Sequence, residues 1–269
     1  MYNKKIMSFI RKLLLIFFIS FSLFLNSQTD KEKSDFIDDI YNEALSNGSS
    51  YQWLDYLSNE IGGRLSGSIN ADRAVKWGKK ELALISDSVW LQEVMVPKWV
   101  RGAPEYAHIE SSPGNTIFVP IAALGGSIST PSIGIRANVV EVKSFNELDI
   151  IGEENIKGKI VFYNRPMNPT TINTFQAYSE SVDQRTQGAK YASKYGAVGV
   201  IVRSMTTRFD DYPHTGSMYY DDIPLNKRIP AAAISTNGAD LLSSMLSLNN
   251  DIKFYFRQNS KNFPDSSIS

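Results

Sequence analysis

The run "AVGVIVRS" (197–204) constrains the fold of this chain more than any other stretch. It is continuously apolar, β-branched and too short for a helix that could stand alone. A strand with no polar side must be covered on both faces, as in a parallel sheet. A second run of this kind, "KIVFY" (159–163), precedes it. Between them Tyr178, Val182, Arg185, Ala189, Ala192 and Tyr195 recur at helical spacing until Gly196 ends the helix. Strand, helix, strand is a β-α-β unit, which predicts an α/β fold. "IRANVVEV", "RIPAAAIS" and "DIKFYF" supply further strands, and "NGADLLSSMLSL" a short helix. Residues 112–257 are therefore expected to form one compact domain, and 258–269 a polar, structureless tail.

Upstream, the pattern changes to helices followed by strands. Phe36, Ile37, Ile40, Tyr41 and Ala44 mark one helical face. "SSYQWLDYLSNEIGG" predicts a second helix, with Trp53, Leu54, Leu57 and Ile61 as its stripe and Gly62-Gly63 as its stop. "NADRAVKWGKKELALI" predicts a third, with Asn70 as N-cap. "SVWLQEVMVPKWVRG" reads as a strand ended by Pro97, and "YAHIES" as another. Residues 29–111 thus look like the opening of a different α/β domain.

Residues 1–28 have the composition of a signal peptide: Lys4, Lys5, Arg11 and Lys12, then the apolar "LLLIFFISFSLFL", then an abrupt polar turn. The expected location is secreted, periplasmic or extracellular, with no stable membrane span. The chain holds no cysteine, so no disulfide can staple it, and its stability must come from core burial or from partners. Basic and acidic residues balance at 28 each, which gives no field for nucleic acid.

The motifs offer little complete chemistry. There are only two histidines, His108 and His214. "RFDDYPHTGSMYYDD" surrounds His214 with aspartates, but Pro213 prevents the helical spacing of zinc-binding pairs, and a polar surface loop accounts for the stretch. No G-x-S-x-G elbow exists, and "LGGS" reads as a flexible turn. "IGGRLSGS" (61–68) is either a glycine-permitted loop lining a ligand site or a tight interhelical turn. Trp99, Arg101 and His108 lie on the strands that follow, Trp and Arg being frequent interface anchors and His108 reading as structural.

Taken together, "YLSNEIGGRLSGSINADRAVKW", "VMVPKWVRG", "ALGGSISTPSIGI", "IKGKIVFYNRPM", "RTQGAKYASKYGAVGVIVRS", "PHTGSMYY" and "IPAAAIS" resemble the N-terminal part of the carboxypeptidase Q family, over about residues 45–257. The resemblance implies a secreted, dinuclear-zinc exopeptidase of the aminopeptidase type, acting on dipeptides or short peptides. It also implies a protease-associated (PA) domain at 112–257, inserted into a peptidase domain that begins at 29–111. In that family the zinc ligands and the general-base glutamate follow the insertion, and none of those motifs is present here. The expectation is an N-terminal segment with no catalytic or metal residue of its own, inactive alone, needing two zinc ions only when completed. Arg64, Ser66, His214 and Tyr219 are the candidate residues for a substrate cleft or an interface. The expected partners are a peptide substrate and a homodimer mate or a complementing C-terminal chain. The rival expectation is a stand-alone, secreted PA-type module that binds peptides or proteins without catalysis.

Overall fold

A computed structural model describes residues 2–268, with the backbone alone described for 2–6, 8–10, 18–30 and 264–268. Residues 1–62 and 63–269 form two compact units. The first is helical: α1 (Tyr2–Ser46), α2 (Ser50–Asp55) and a π-helical turn over Tyr56–Ile61. The stretch expected to be a signal peptide falls within α1, largely outside the described side chains. Among the described residues, no helix is long and apolar enough to cross a membrane.

The second unit carries the α/β fold. It opens with α3 (Ile69–Leu82), whose N-cap is Ser68 rather than the expected Asn70: Ser68 Oγ accepts from the Ala71 N–H, while Asn70 Nδ2 donates back to the Gly63 carbonyl at 3.2 Å. Its strands are β1 (Val94–Val100), β2 (Tyr106–Ser112), β3 (Asn115–Phe118), β4 (Ile121–Ala123), β5 (Ile135–Val142), β6 (Ile160–Tyr163), β7 (Gly199–Arg203), β8 (Ala231–Ile234), β9 (Lys253–Arg257) and β10 (Lys261–Ile268). Its other helices are α4 (Phe145–Ile156), α5 (Thr174–Ser179), α6 (Val182–Thr186), α7 (Gly188–Lys194) and α8 (Thr236–Leu248). Eight strands form one mixed sheet in the order β3-β2-β9-β5-β6-β7-β8-β4. Strands β5 to β8 run parallel, and the others join antiparallel.

The continuous apolar runs have the expected cause. In β6, Val161 and Tyr163 face one core with Leu148 and Ile156 of α4 and Ala189 and Ala192 of α7. Ile160 and Phe162 face the other core, with Leu242 and Leu246 of α8 and Phe254 and Phe256 of β9. Both faces of the central strands are dry, so period-2 alternation of polarity has no reason to appear. The helix expected between β6 and β7 is broken into α5, α6 and α7, with Ser181 outside helical geometry and Gln187 stretched to a φ of −118° between them.

Three sequence expectations need correction. The boundary at 111/112 cuts through β2, which pairs with β9 from Tyr106↔Arg257 to Glu110↔Lys253 and so belongs to the sheet. Pro97 does not end β1; it sits at an irregularity in the pairing between Val96 and Lys98, where no ladder N–H is needed. The tail 258–269 is not structureless. Its β10 segment pairs antiparallel with β1, from Val100↔Lys261 to Val94↔Ile268, in a separate two-stranded ribbon.

Candidate functional site

Where the ribbon meets the sheet unit lies a groove of about 410 Å³, lined among others by Ser66, Trp99, Gly126, Tyr219, Arg228 and Phe263. Each wall is held by identifiable contacts. The glycine-rich loop before α3 lies against β1. Gly67, at φ +73°, allows this, because a Cβ there would come within 2.8 Å of the Lys98 side chain. Ser66 Oγ donates to the Pro97 carbonyl at 3.4 Å.

On β1, Trp99 Nε1 donates to the Ser127 carbonyl at 2.9 Å. The Arg101 guanidinium stacks on the Trp99 ring at 5.1 Å. It also donates to Glu105 Oε1 at 2.8 Å and the Ala123 carbonyl at 2.9 Å. Glu105 in turn accepts from the Ala123 N–H, so the carboxylate pins both the arginine and the end of β4.

The floor is the turn "LGGS", and it is not flexible. Gly125 N–H donates to the Gly216 carbonyl and Met218 N–H to the Gly125 carbonyl, both at 2.8 Å. Ser127 is fully buried. Its carbonyl accepts from Trp99 and from Ser260 Oγ, and its Oγ accepts from the Ala231 N–H and from Gln258 Nε2. A short, glycine-containing turn has become the junction of β1, β8 and the residues leading into β10.

The loop between β7 and β8 closes the groove. Ser204 Oγ accepts from the His214 N–H at 2.8 Å, and Thr215 Oγ1 donates to the Ala123 carbonyl at 2.8 Å. Tyr219 N–H donates to the Thr186 carbonyl at 3.0 Å, leaving its side chain exposed. Beside it, buried Tyr220 accepts through its hydroxyl from the Ile128 N–H and donates to the Ile229 carbonyl. Burial pushes the Tyr220 phenol above its ordinary range. Arg228 lies over the Tyr220 ring at 5.0 Å and donates to the Ile223 carbonyl.

The groove thus gathers Ser66 and Tyr219 of the four candidate cleft residues, together with Trp99. Arg64 and His214 are exposed on the adjoining loops and do not line it. Asn262 and Phe263 do, though the tail was expected to be unstructured. Asn262 Nδ2 donates to the Gly126 carbonyl at 3.1 Å, and the Lys98 ammonium lies over the Phe263 ring at 5.7 Å. The isolated phenylalanine in "KNFPDSS" was the one available signal.

The donor atoms do not suit zinc. Asp210 takes the Tyr212 N–H and lies near Arg208 at 3.5 Å, and His214 is exposed. His108 stacks on Tyr255 at 4.9 Å, and burial lowers its pKa below the ordinary 6.5. Its neighbour Glu110 is bound through both oxygens to Arg136. Among the described residues, no group of three His, Cys, Asp or Glu side chains could hold a metal ion.

Comparisons with known proteins place this arrangement. The structure superposes on a peptidase M28 precursor from Shewanella amazonensis with a TM-score of 0.79 at 31% identity, covering 89% of this chain and 53% of that one. An aminopeptidase from Aneurinibacillus sp. strain AM-1 shares the fold alone, with a TM-score of 0.51 at 15% identity, over 81% of this chain and 44% of that one. The class is therefore the α/β fold of the M28 peptidases. In sequence, the chain is 37% identical to carboxypeptidase Q of Xenopus laevis over 243 residues, 90% of this chain and 48% of that protein. It is 37% identical to the human enzyme over 218 residues, 80% of this chain and 43% of that protein. The chain is carboxypeptidase Q-like and spans about half the length of the relatives it matches. No family model matches it.

Proposed function

We propose that this chain forms the non-metal wall of the peptide cleft in a secreted, carboxypeptidase Q-like zinc exopeptidase. The observation that carries this reading is the convergence of the Gly63–Ser68 loop, β1 and the Ser217–Tyr219 segment on one groove. Each comes from a motif of the family resemblance, and they are far apart in sequence. In this reading residues 106–257 serve as the PA-type domain, and Ser66 and Tyr219 contact a short peptide. Two zinc ions and a general-base glutamate come from outside the described residues. A homodimer mate or a complementing chain is the expected partner. The apolar run in residues 13–25, with its basic flank, supports export.

The test is a chimera of this chain with the portion of the Shewanella amazonensis peptidase that it does not cover. The chimera should hydrolyse dipeptides in a zinc-dependent manner, and this chain alone should not. Tyr219→Ala should raise KM more than it lowers kcat, because a groove residue binds substrate without touching the metal. A folded, zinc-loaded chimera with no turnover would refute the reading.

A second reading, a binding module without catalysis, is favoured by one observation: residues 63–269 carry a core on both faces of their own sheet. Peptide binding by this chain with no activity in the chimera would select it.

A further inference from the structure

The groove between the ribbon and the sheet carries positive charge without negative charge. Lys98 and Arg228 line it, and among the described residues no aspartate or glutamate does. Arg101, Arg136, Arg165 and Arg203 each pair with a carboxylate, whereas neither Lys98 nor Arg228 has an ion pair among the described residues. The acidic residues nearest to Arg228 in sequence, Asp221 and Asp222, are both engaged by Lys190 of α7, at 2.8 and 3.4 Å.

The Arg228 guanidinium is pre-positioned by the turn Tyr220–Ile223, which the Ile223 N–H closes on the Tyr220 carbonyl at 2.9 Å. This turn offers the arginine two contacts. The Tyr220 ring centroid lies 5.0 Å from Cζ, and the Ile223 carbonyl accepts from Nε at 2.9 Å. The ring is itself fixed by the two backbone bonds of its hydroxyl. Stacking covers a face of the guanidinium and leaves the N–H donors, which lie in its plane, able to bond. With Nε spent on Ile223, the terminal pair Nη1 and Nη2 remains. Neither has a hydrogen-bond partner among the described residues, and neither is closed off from solvent. Such a fork matches the two oxygens of a carboxylate.

Lys98 reaches the same groove from β1. Its stem lies against Gly67, whose missing Cβ makes room for it, and its ammonium stands over the Phe263 ring at 5.7 Å. Trp99, Met218 and Phe263 surround the two charges with apolar surface. A ligand with a partly apolar body and one carboxylate complements that combination, whereas a bare inorganic anion would leave the apolar walls wet.

We propose that Arg228 and Lys98 form a carboxylate subsite in the groove. Arg228 takes both oxygens of a carboxylate on a short peptide, and Lys98 supplies the second positive charge. The carboxylate is the free C-terminus or an acidic side chain, which share this chemistry. This deepens the cleft reading above and rests on it for the ligand being a peptide.

The test is calorimetric titration of the full chain with alanyl-alanine, alanyl-alanine amide and α-glutamyl-alanine amide, in parallel with inorganic phosphate. The wild-type chain should bind a peptide that carries a carboxylate at least about tenfold more tightly than alanyl-alanine amide, the range of a charge-assisted hydrogen-bonded pair. Preference for alanyl-alanine assigns the C-terminus, and preference for the glutamyl amide assigns a side chain; either supports the subsite. Arg228→Ala should abolish the preference, and Arg228→Lys should lose most of it, because an ammonium does not fork. Lys98→Met, which keeps a stem of similar length beside Gly67, should lower it in part. Arg257→Ala removes an exposed charge outside the groove and should leave it unchanged. If Arg228→Ala fails to fold, the two variants Arg228→Lys and Lys98→Met carry the test. Equal wild-type affinity for all three peptides, no saturable binding of any, tighter binding of phosphate than of the peptides, or full preference retained in both of those variants would each overturn the proposal. Because the readout is binding, an inactive chimera would refute the peptidase reading and leave the subsite standing, whereas an active chimera with no acid preference in this titration would overturn the subsite alone.

Discussion

Tyr220→Phe removes one oxygen atom and leaves the aromatic ring. The Tyr220 side chain is almost fully buried, and its hydroxyl is the contact of two backbone groups: it accepts from Ile128 N–H at 3.1 Å and donates to the Ile229 carbonyl at 2.7 Å. Phenylalanine fills the same space, so no cavity term enters. What remains is one buried donor and one buried acceptor without their partner. Each such orphan costs about 1–3 kcal/mol, the carbonyl less because it is often under-satisfied without strain. The expected loss is therefore about 2–4 kcal/mol, a substantial part of the roughly 5–15 kcal/mol that stabilises an ordinary domain. Urea denaturation of the variant should show a lower midpoint with an unchanged slope, since the surface exposed on unfolding is the same. The damage should centre on the groove, because Ile128 follows the Ser127 junction and Arg228 stacks on the Tyr220 ring. A midpoint shift worth less than about 0.5 kcal/mol would refute this account of how the "LGGS" turn is held.

Other consequences can be measured in the same way. Gly134→Ala should destabilise by about 2 kcal/mol or more, since φ is +79° and the new methyl would lie 2.5 Å from the Tyr255 ring; an unchanged melting temperature would contradict the packing described. A fragment of residues 103–260 should melt cooperatively, whereas 112–260 should bind hydrophobic dye, because losing β2 uncovers the β9 edge beside Phe254 and Phe256. Acid should weaken the fold in two windows. His108 is depressed by burial, so the unfolded chain takes up its proton first and stability falls as pH drops below about 6.5. His108→Phe should flatten that window. Glu110, held low by Arg136, contributes stability that is complete above about 4.5 and is lost as pH falls further, and Glu110→Gln should remove that second slope.

The central sheet was legible because its signal is local. "KIVFY", "AVGVIV" and "AAAI" became β6, β7 and β8 at nearly the expected bounds, since a strand buried on both faces must be apolar throughout. Ribbon strand β10 was not legible. Its pairing depends on β1, more than 150 residues away, and "KNFPDSSI" has no alternation to announce it. The same long-range dependence hid the role of "LGGS", whose hydrogen-bond partners lie on β8, β1 and the approach to β10. For the groove, Ser66 and Tyr219 were found through the glycine-rich and tyrosine-rich motifs, and Phe263 was lost with the tail.

The central claim is that the groove receives a short peptide, and amide and indole NMR shifts read this most directly. Titrating the labelled chain with alanyl-alanine should move the signals of Ser66, Gly126 and Ser217 to Tyr219, together with the Trp99 indole N–H, which is fixed on the Ser127 carbonyl. The signals of β3, at the far edge of the sheet, should stay still. Saturable shifts confined to those groove residues would support the account. Shifts centred elsewhere on the chain, or none at millimolar dipeptide, would contradict it.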